Sequence, residues 1–327
     1  MANQIRKNRL IVPTVAEREG QRQTPICSLI QLQIADERDN GFLFVMQSLP
    51  RRNFIKSSLA ASAAAATLGS KLGAAPSGGK QEFYDVRCYH LKADSRLKEN
   101  GRADLLDAYL EEAFLPALAK RGIAGTGVFS ELVVDKKAMT GEPMADSPVW
   151  TLTRYASLND FVEVSAELNA DPAVQRAGEA YLSVPKKSPA FERVDSWLLR
   201  AFASMPVMEQ PAFSKRKVPT RVFEMRDYES HSEAKALIKM AMFDEGETQL
   251  MRDLGMNPMF FGQALAGPNL PHLRYITCGP DLETHLKSWS KFGPSEGWQK
   301  MKSIPKYANS TSRNTARFLT PMAYSEI

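Results

Sequence analysis

Two short segments carry the same chemistry-bearing side chains at the same spacing. Tyr84-Asp85-Val86-Arg87-Cys88-Tyr89 and Phe223-Glu224-Met225-Arg226-Asp227-Tyr228 both read aromatic, acid, apolar, Arg, any residue, Tyr. In extended chain, side chains alternate between the two faces. Asp85, Arg87 and Tyr89 therefore share one face, and Glu224, Arg226 and Tyr228 share the equivalent one. A guanidinium next to a phenol can hold an anionic group and orient it, so these six residues are ligand-binding candidates. The competing reading is a structural ion pair between each acid and its neighbouring Arg. The opposite faces carry Tyr84, Val86, Phe223 and Met225 and are expected to pack against helices.

Other reactive side chains give weaker signals. His90, His231, His272 and His285 lack the His-x-Glu-x-His type of spacing, so no metal site is expected. A lone histidine can still serve as an axial haem ligand, and His90 and His231 each follow an opening segment. The alternative for each is a solvated loop histidine. Of the three cysteines, Cys88 and Cys278 fall in different segments and are expected as free buried thiols. There is no glycine-rich phosphate loop and no Gly-x-Ser-x-Gly nucleophile frame.

The elements that must position these residues also come in two sets. After each opening strand lies a helical pattern, about residues 102–121 with Leu105, Leu106, Tyr109, Leu110, Phe114 and Leu118 on one face, and about 232–254. Gly122 and Gly255 end them. Strand-like pairs follow at 126–134 and 149–156, and at 259–265 and 273–278. A polar loop, 135–148, separates the first pair. Second helical regions begin at Ser157 and Asp281, both good N-cap residues. Closing strands are expected at 194–202 and 315–319. Each half thus reads β-α-β-β-α-β, an α+β class pattern that gives a ferredoxin-like four-stranded antiparallel sheet with helices on one face. Two such repeats, 83–203 and 220–325 joined by a linker at 204–219, can cover each other's bare sheets as a pseudo-dimeric α/β barrel. One chain would then do what a homodimer does with two.

Composition bounds the rest. The 327 residues are 43% hydrophobic and 24% charged, with 42 Lys+Arg against 37 Asp+Glu, a formal +5. Ten of the basic and five of the acidic residues fall in 1–75, leaving 32 of each from Pro76 onward. The excess charge belongs to the leader, so nucleic acid is not expected as a partner. No apolar run reaches the about 18–20 residues of a membrane helix. Residues 46–75, with Arg51-Arg52-Asn53-Phe54-Ile55-Lys56 before an Ala-rich stretch and Gly73-Ala74-Ala75, resemble a twin-arginine signal peptide. Residues 1–45 show no helix or strand period and are expected to be untranslated or disordered, with the true start at Met46. The expected location is the periplasm or cell envelope.

The paired acid-x-Arg-x-Tyr strands, the glycine-containing second strand, and the segments Asp171-Pro172-Ala173-Val174-Gln175 and Glu296-Gly297-Trp298-Gln299 resemble the NIPSNAP family. Val174 stands where the second half has Trp298, and Phe161 where it has His285. The resemblance implies the dimeric α/β-barrel superfamily, which also holds antibiotic-biosynthesis-type monooxygenases and haem-degrading enzymes. It brings no catalytic residue set. The expectation is a small-molecule binding or interaction protein, its partner a small molecule or an envelope protein met in the cleft between repeats. The alternative is a monooxygenase-like oxidoreductase, with haem as an option although no cofactor is predicted. The chain is expected as a monomeric pseudo-dimer or a higher oligomer. Cavity volume between the sheets discriminates, because a cofactor-free monooxygenase needs a closed, dry pocket and a scaffold needs only a filled interface.

Overall fold

A computed structural model describes residues 80–91 and 103–327. The expected signal at 46–75 and residues 1–45 lie outside the described residues. All described residues fall in a single compact unit.

Among the described residues nine strands form one antiparallel sheet: β1 (Phe83–His90), β2 (Gly127–Asp135), β3 (Thr140–Pro143), β4 (Val149–Tyr155), β5 (Arg193–Ala201), β6 (Val222–Glu229), β7 (Pro258–Ala266), β8 (His272–Gly279) and β9 (Arg313–Pro321). Their order is β3-β2-β4-β1-β5-β7-β8-β6-β9, and β2 also pairs with β9. That last pairing, Phe129 opposite Pro321 through Leu132 opposite Phe318, closes eight strands into a barrel and leaves β3 as a flap on β2. The class is mixed α/β with an eight-stranded antiparallel barrel. The order β2-β4-β1-β5 in residues 83–201 matches β7-β8-β6-β9 in residues 222–321. Closure removes the open edges that would otherwise pair with another chain.

Helices coat the outside. α1 runs Ala103–Ala108, passes through a π-helical turn at Tyr109–Phe114 and continues as Leu115–Lys120. Leu158–Ala170 forms α2, Pro172–Ala177 α3, Glu179–Leu182 α4 and Ala212–Lys215 α5. α6 runs Glu233–Met242, turns through a π segment at Phe243–Glu247 and ends as Thr248–Asp253. Leu282–Phe292 and Glu296–Lys302 form α7 and α8. Ser157, Asp281 and Ser295 each accept a backbone N–H at the start of their helix, the usual repair for unpaired first-turn donors.

Three large apolar layers result among the described residues, beside a small fourth cluster of Val222, Leu286 and Phe318. Inside the barrel, Tyr84, Val86, Phe129, Leu152, Leu199, Phe223, Met225, Phe260, Ile276 and Leu319 pack together, joined by Ile327. Outside the first half, Tyr89, Val128 and Val149 meet Leu106, Leu110, Phe114 and Leu118 of α1. Outside the second half, Tyr228, Phe261 and Tyr275 meet Met240, Phe243 and Met251 of α6.

This corrects the expected facing of the opening strands. Tyr84, Val86, Phe223 and Met225 point into the barrel, and the Asp85-Arg87-Tyr89 and Glu224-Arg226-Tyr228 faces lie under the helices. Alternation tells which side chains share a face but not which face meets the other half. Both faces of these strands are largely buried, so polarity did not distinguish them.

After β9, residues 322–327 run back over the first half. The Met322 N–H donates to Val128 O, the Val128 N–H to Ser325 Oγ (3.0 Å), and the Gly125 and Thr126 N–H groups to Glu326 Oε2 (2.7 and 2.8 Å). Arg221 Nη2 donates to Ile327 O at 2.8 Å.

Candidate functional site

The barrel is filled at one end and open at the other. Along β1 the inward residues change from Tyr84 and Val86 to Cys88 and His90, and along β8 from Cys278 and Ile276 to Arg274. The same change from apolar to polar occurs along β5 and β9, so polar groups from both halves gather at one mouth. There a cavity of about 430 Å³ is lined by His90, Glu131, Trp150, Asp195, Trp197 and Arg317, among others.

Two tryptophans form its wall. Trp150 (β4) and Trp197 (β5) stack with centroids 5.8 Å apart and planes 23° apart. Their indole N–H groups are tied down: Trp150 Nε1 donates to Glu131 Oε1 at 2.8 Å and Trp197 Nε1 to Pro268 O at 3.0 Å. Pro268 reaches Trp197 because Gly267 (φ 124°) has no side chain. A Cβ there would sit 2.6 Å from Trp197 Cδ1. Two guanidiniums cover the indoles, with Arg274 Cζ 4.0 Å from the Trp197 ring centre and Arg317 Cζ 5.2 Å from that of Trp150. A cation over an indole face gains about 0.5–2 kcal/mol, more as water is excluded.

Asp227 holds both guanidiniums. Arg274 donates to it through Nε (2.5 Å) and Nη2 (3.1 Å), and Arg317 through Nη1 (2.8 Å). Burial alone would push its carboxyl up; Arg274 and Arg317 overcome this and hold it near 2, against an ordinary 3.8. Opposite, Asp195 accepts from His90 Nε2 (2.8 Å) and sits 3.0 Å from Arg193 Nε. Arg274 is fully buried, and its Nη1 makes no hydrogen bond with the described residues, which leaves a donor beneath the tryptophans without a partner. Burial raises the Cys88 thiol to about 12, with Glu131 acting in the same sense, so it is protonated at neutral pH and not a nucleophile. His272, near the same end, is pushed down to about 4 by burial and by Arg274, and is neutral.

The six candidates read from the sequence lie elsewhere. Asp85 pairs with Arg87 at 2.7 Å and accepts from Ser196 Oγ, while Arg87 lies over the Phe114 ring. Tyr89 is buried against Phe191. In the second half Glu224 pairs with Arg226 at 2.8 Å and with the buried His285 at 2.9 Å, and Arg226 stacks on Trp289 at 4.4 Å. Tyr228 meets Tyr275 through their hydroxyls at 2.8 Å. Glu224 and Arg226 line a cavity of about 310 Å³, and Tyr228 lines one of about 350 Å³. The two triplets are thus not brought together; each sits under its own half's helices. Of the four histidines only His90 lines the mouth, and among the described residues no cluster of three or more His, Cys, Asp or Glu could hold a metal. Cys88 and Cys278 are free and buried, as expected. Among the described residues no helix is long and apolar enough to cross a membrane.

Sequence reasoning missed Trp150, Trp197, Arg274, Arg317 and Asp227. Their signal was present. Arg274, Ile276 and Cys278 alternate, as do Arg317 and Leu319, so one polar residue ends each otherwise apolar inner face.

The NIPSNAP family model matches residues 223–326. Among curated proteins, none matches the chain. Similar solved structures include a proposed monooxygenase from Lactobacillus acidophilus NCFM (9% identity, 74% of this chain, 94% of that one, TM-score 0.44). Others are an uncharacterised NIPSNAP-like domain protein from Burkholderia xenovorans (17%, 33% and 90%, TM-score 0.30) and a variant chlorite dismutase from Candidatus Nitrospira defluvii (9%, 76% and 94%, TM-score 0.40). At these TM-scores the likenesses decide nothing about chemistry.

Proposed function

We propose that the chain binds a small molecule with a flat apolar part and an anionic group at the barrel mouth, between its two halves. The observation that carries this is the stacked Trp150–Trp197 pair, backed by the buried Arg274 and flanked by Arg317, at a cavity of about 430 Å³. That volume lies within the about 300–1,000 Å³ typical of ligand pockets. The indole edges that line the cavity take the flat part, and Arg317 and Arg193, which line it too, take the anion. The cavity is open and lined by charge, while the rest of the barrel is packed with side chains. Neither region is the closed, dry pocket that a cofactor-free monooxygenase needs, which favours binding over oxidation in the barrel.

The equal strand orders of the two halves and the family match to residues 223–326 support reading the chain as two NIPSNAP-type ferredoxin-like repeats in a pseudo-dimeric barrel. Residues 46–75 support export through the twin-arginine pathway to the periplasm or envelope, where the ligand would be met.

Calorimetry and thermal shift with benzoate and indole-3-acetate test the site. The expected result is binding that weakens at least tenfold in Arg317→Met and is unchanged in Arg87→Met. Binding that survives Arg317→Met, or that is lost in Arg87→Met, moves the site to the helix-covered face and overturns the proposal.

A further inference from the structure

A second cavity, in the second half between α6 and the residues that lead into β9, is built around a buried amine. Lys239 lies on α6 with only 6% of its side chain exposed, and that part lines a cavity of about 350 Å³. Its Nζ donates to Glu247 Oε2 at 2.8 Å and lies 3.4 Å from Met242 Sδ. The rings of Phe243, Tyr228 and Trp298 surround it at 4.6, 5.3 and 5.6 Å. Asn309, Ser310 and Asn314 line the cavity beside it.

The backbone carries Glu247 to the amine through a π turn. Glu247 lies eight positions after Lys239, and a regular helix would turn through about 800° over that span, placing them about 80° apart around the axis. The π turn at Phe243–Glu247, with Gly246 at φ 154°, breaks that regularity where Glu247 faces the amine. Backbone irregularity of this kind concentrates at functional sites. Burying an ion pair brings little net stability, since the cost of removing both charges from water offsets their attraction. The first half's helix carries a π turn too, at Tyr109–Phe114, but among the described residues no buried Lys–Glu pair accompanies it, so the buried amine is particular to the second half. Burial also pushes the Glu247 carboxyl above its ordinary range, against the pull of Lys239, which makes it a readier proton acceptor.

We propose that Lys239 is a Schiff-base lysine, which condenses with a small carbonyl compound in this cavity with Glu247 as its proton carrier. The steps balance. Glu247 takes a proton from the Lys239 ammonium. The freed amine adds to the carbonyl carbon, forming a C–N bond while the C=O π pair moves to oxygen. Glu247 returns its proton to the oxyanion and takes one from the adduct nitrogen, so the adduct is a neutral carbinolamine beside a protonated Glu247. The nitrogen lone pair then expels the hydroxyl, which leaves as water with a proton passed through Glu247. The net change is ammonium plus carbonyl to protonated imine plus water, with one positive charge on each side. The protonated imine keeps its charge at the same nitrogen, so the rings and the Glu247 carboxylate that hold the ammonium also hold the product.

The full chain is incubated with propanal or pyruvate and reduced with borohydride, and the adduct is mapped by peptide mass spectrometry. The expected result is an adduct on Lys239 at least tenfold above that on the exposed Lys300 and Lys306. Glu247→Gln, which keeps the amine, reduces it at least tenfold, and Lys239→Arg abolishes it. Reaction with propanal alone indicates an aldehyde site, and with pyruvate as well a 2-oxo acid site using Lys302 at the rim. Labelling spread evenly over exposed lysines, or an unmodified Lys239 with both probes, overturns the proposal. The wild-type map decides even if Lys239→Arg fails to fold.

Discussion

Asp227 is the residue on which the barrel mouth depends. It is the common acceptor for two guanidiniums, of which Arg274 would otherwise be buried without a counter-charge. Its folded carboxyl sits near 2, below its ordinary 3.8. A lowered carboxyl contributes stability that is fully present above its unfolded value and is lost as pH falls through the folded one. The window is therefore about pH 4 down to pH 2. The contribution is about 2 kcal/mol, since each tenfold change in proton affinity is worth about 1.4 kcal/mol. Asp227→Asn is expected to lower stability at pH 7 by roughly 3–5 kcal/mol, because Arg274 is left uncompensated. It should also flatten the dependence between pH 4 and pH 2. Urea denaturation at a series of pH values measures both effects. A variant as stable as the parent at pH 7 would mean that the guanidiniums find other partners.

At the scale of elements, strand positions were legible and strand facing was not. Observed strands begin and end within one or two residues of their expected positions. β-branched and aromatic runs bounded by glycine and polar loops are a local signal. Facing is not local. Asp85 and Val86 are both buried, one under α1 and α2 and one in the barrel, so alternation alone could not orient them. β3 was missed because Thr140-Gly141-Glu142-Pro143 has no alternation and little burial, and it pairs only at a sheet edge. The mouth was missed for a related reason. Each of its strands contributes one polar residue, which means nothing until the barrel gathers them. The π turns were not legible either; Gly246 reads as a mere blemish in a helical stretch. It is the point that sets the second turn. A Cβ at φ 154° is strained, and it would lie 3.0 Å from Met301 Cε. Gly246→Ala should cost about 1 kcal/mol or more, read from chemical denaturation. If the variant is as stable as the parent, the turn is not under the strain its geometry implies.

The whole molecule is held by what each half hides from water. Residues 83–201 present Tyr84, Val86, Leu152 and Leu199 toward residues of the other half, and these include Phe223, Met225, Phe260 and Ile276. Separated at the linker, each half would expose that face. A fragment of residues 80–219 or 220–327 is therefore expected to self-associate or precipitate when made alone. Mixing the two should restore a 1:1 complex with the circular dichroism spectrum of the intact chain. Size-exclusion chromatography with light scattering distinguishes the outcomes. Two stable monomeric fragments would show that the inner layer is dispensable.

The strap of residues 322–327 bears on the order in which the chain can fold. Val128 and Thr126 donate to partners 197 and 200 positions later, and β2 takes β9 as its outer neighbour. Residues 80–203 therefore leave the ribosome with an open strand edge and one uncovered end, and nothing within that stretch can close either. Pairings across such separations form slowly. During that delay the exposed β2 edge is available to another nascent chain. Swapped dimers joined through β2 and β9 are the misassembly to which this topology is most vulnerable.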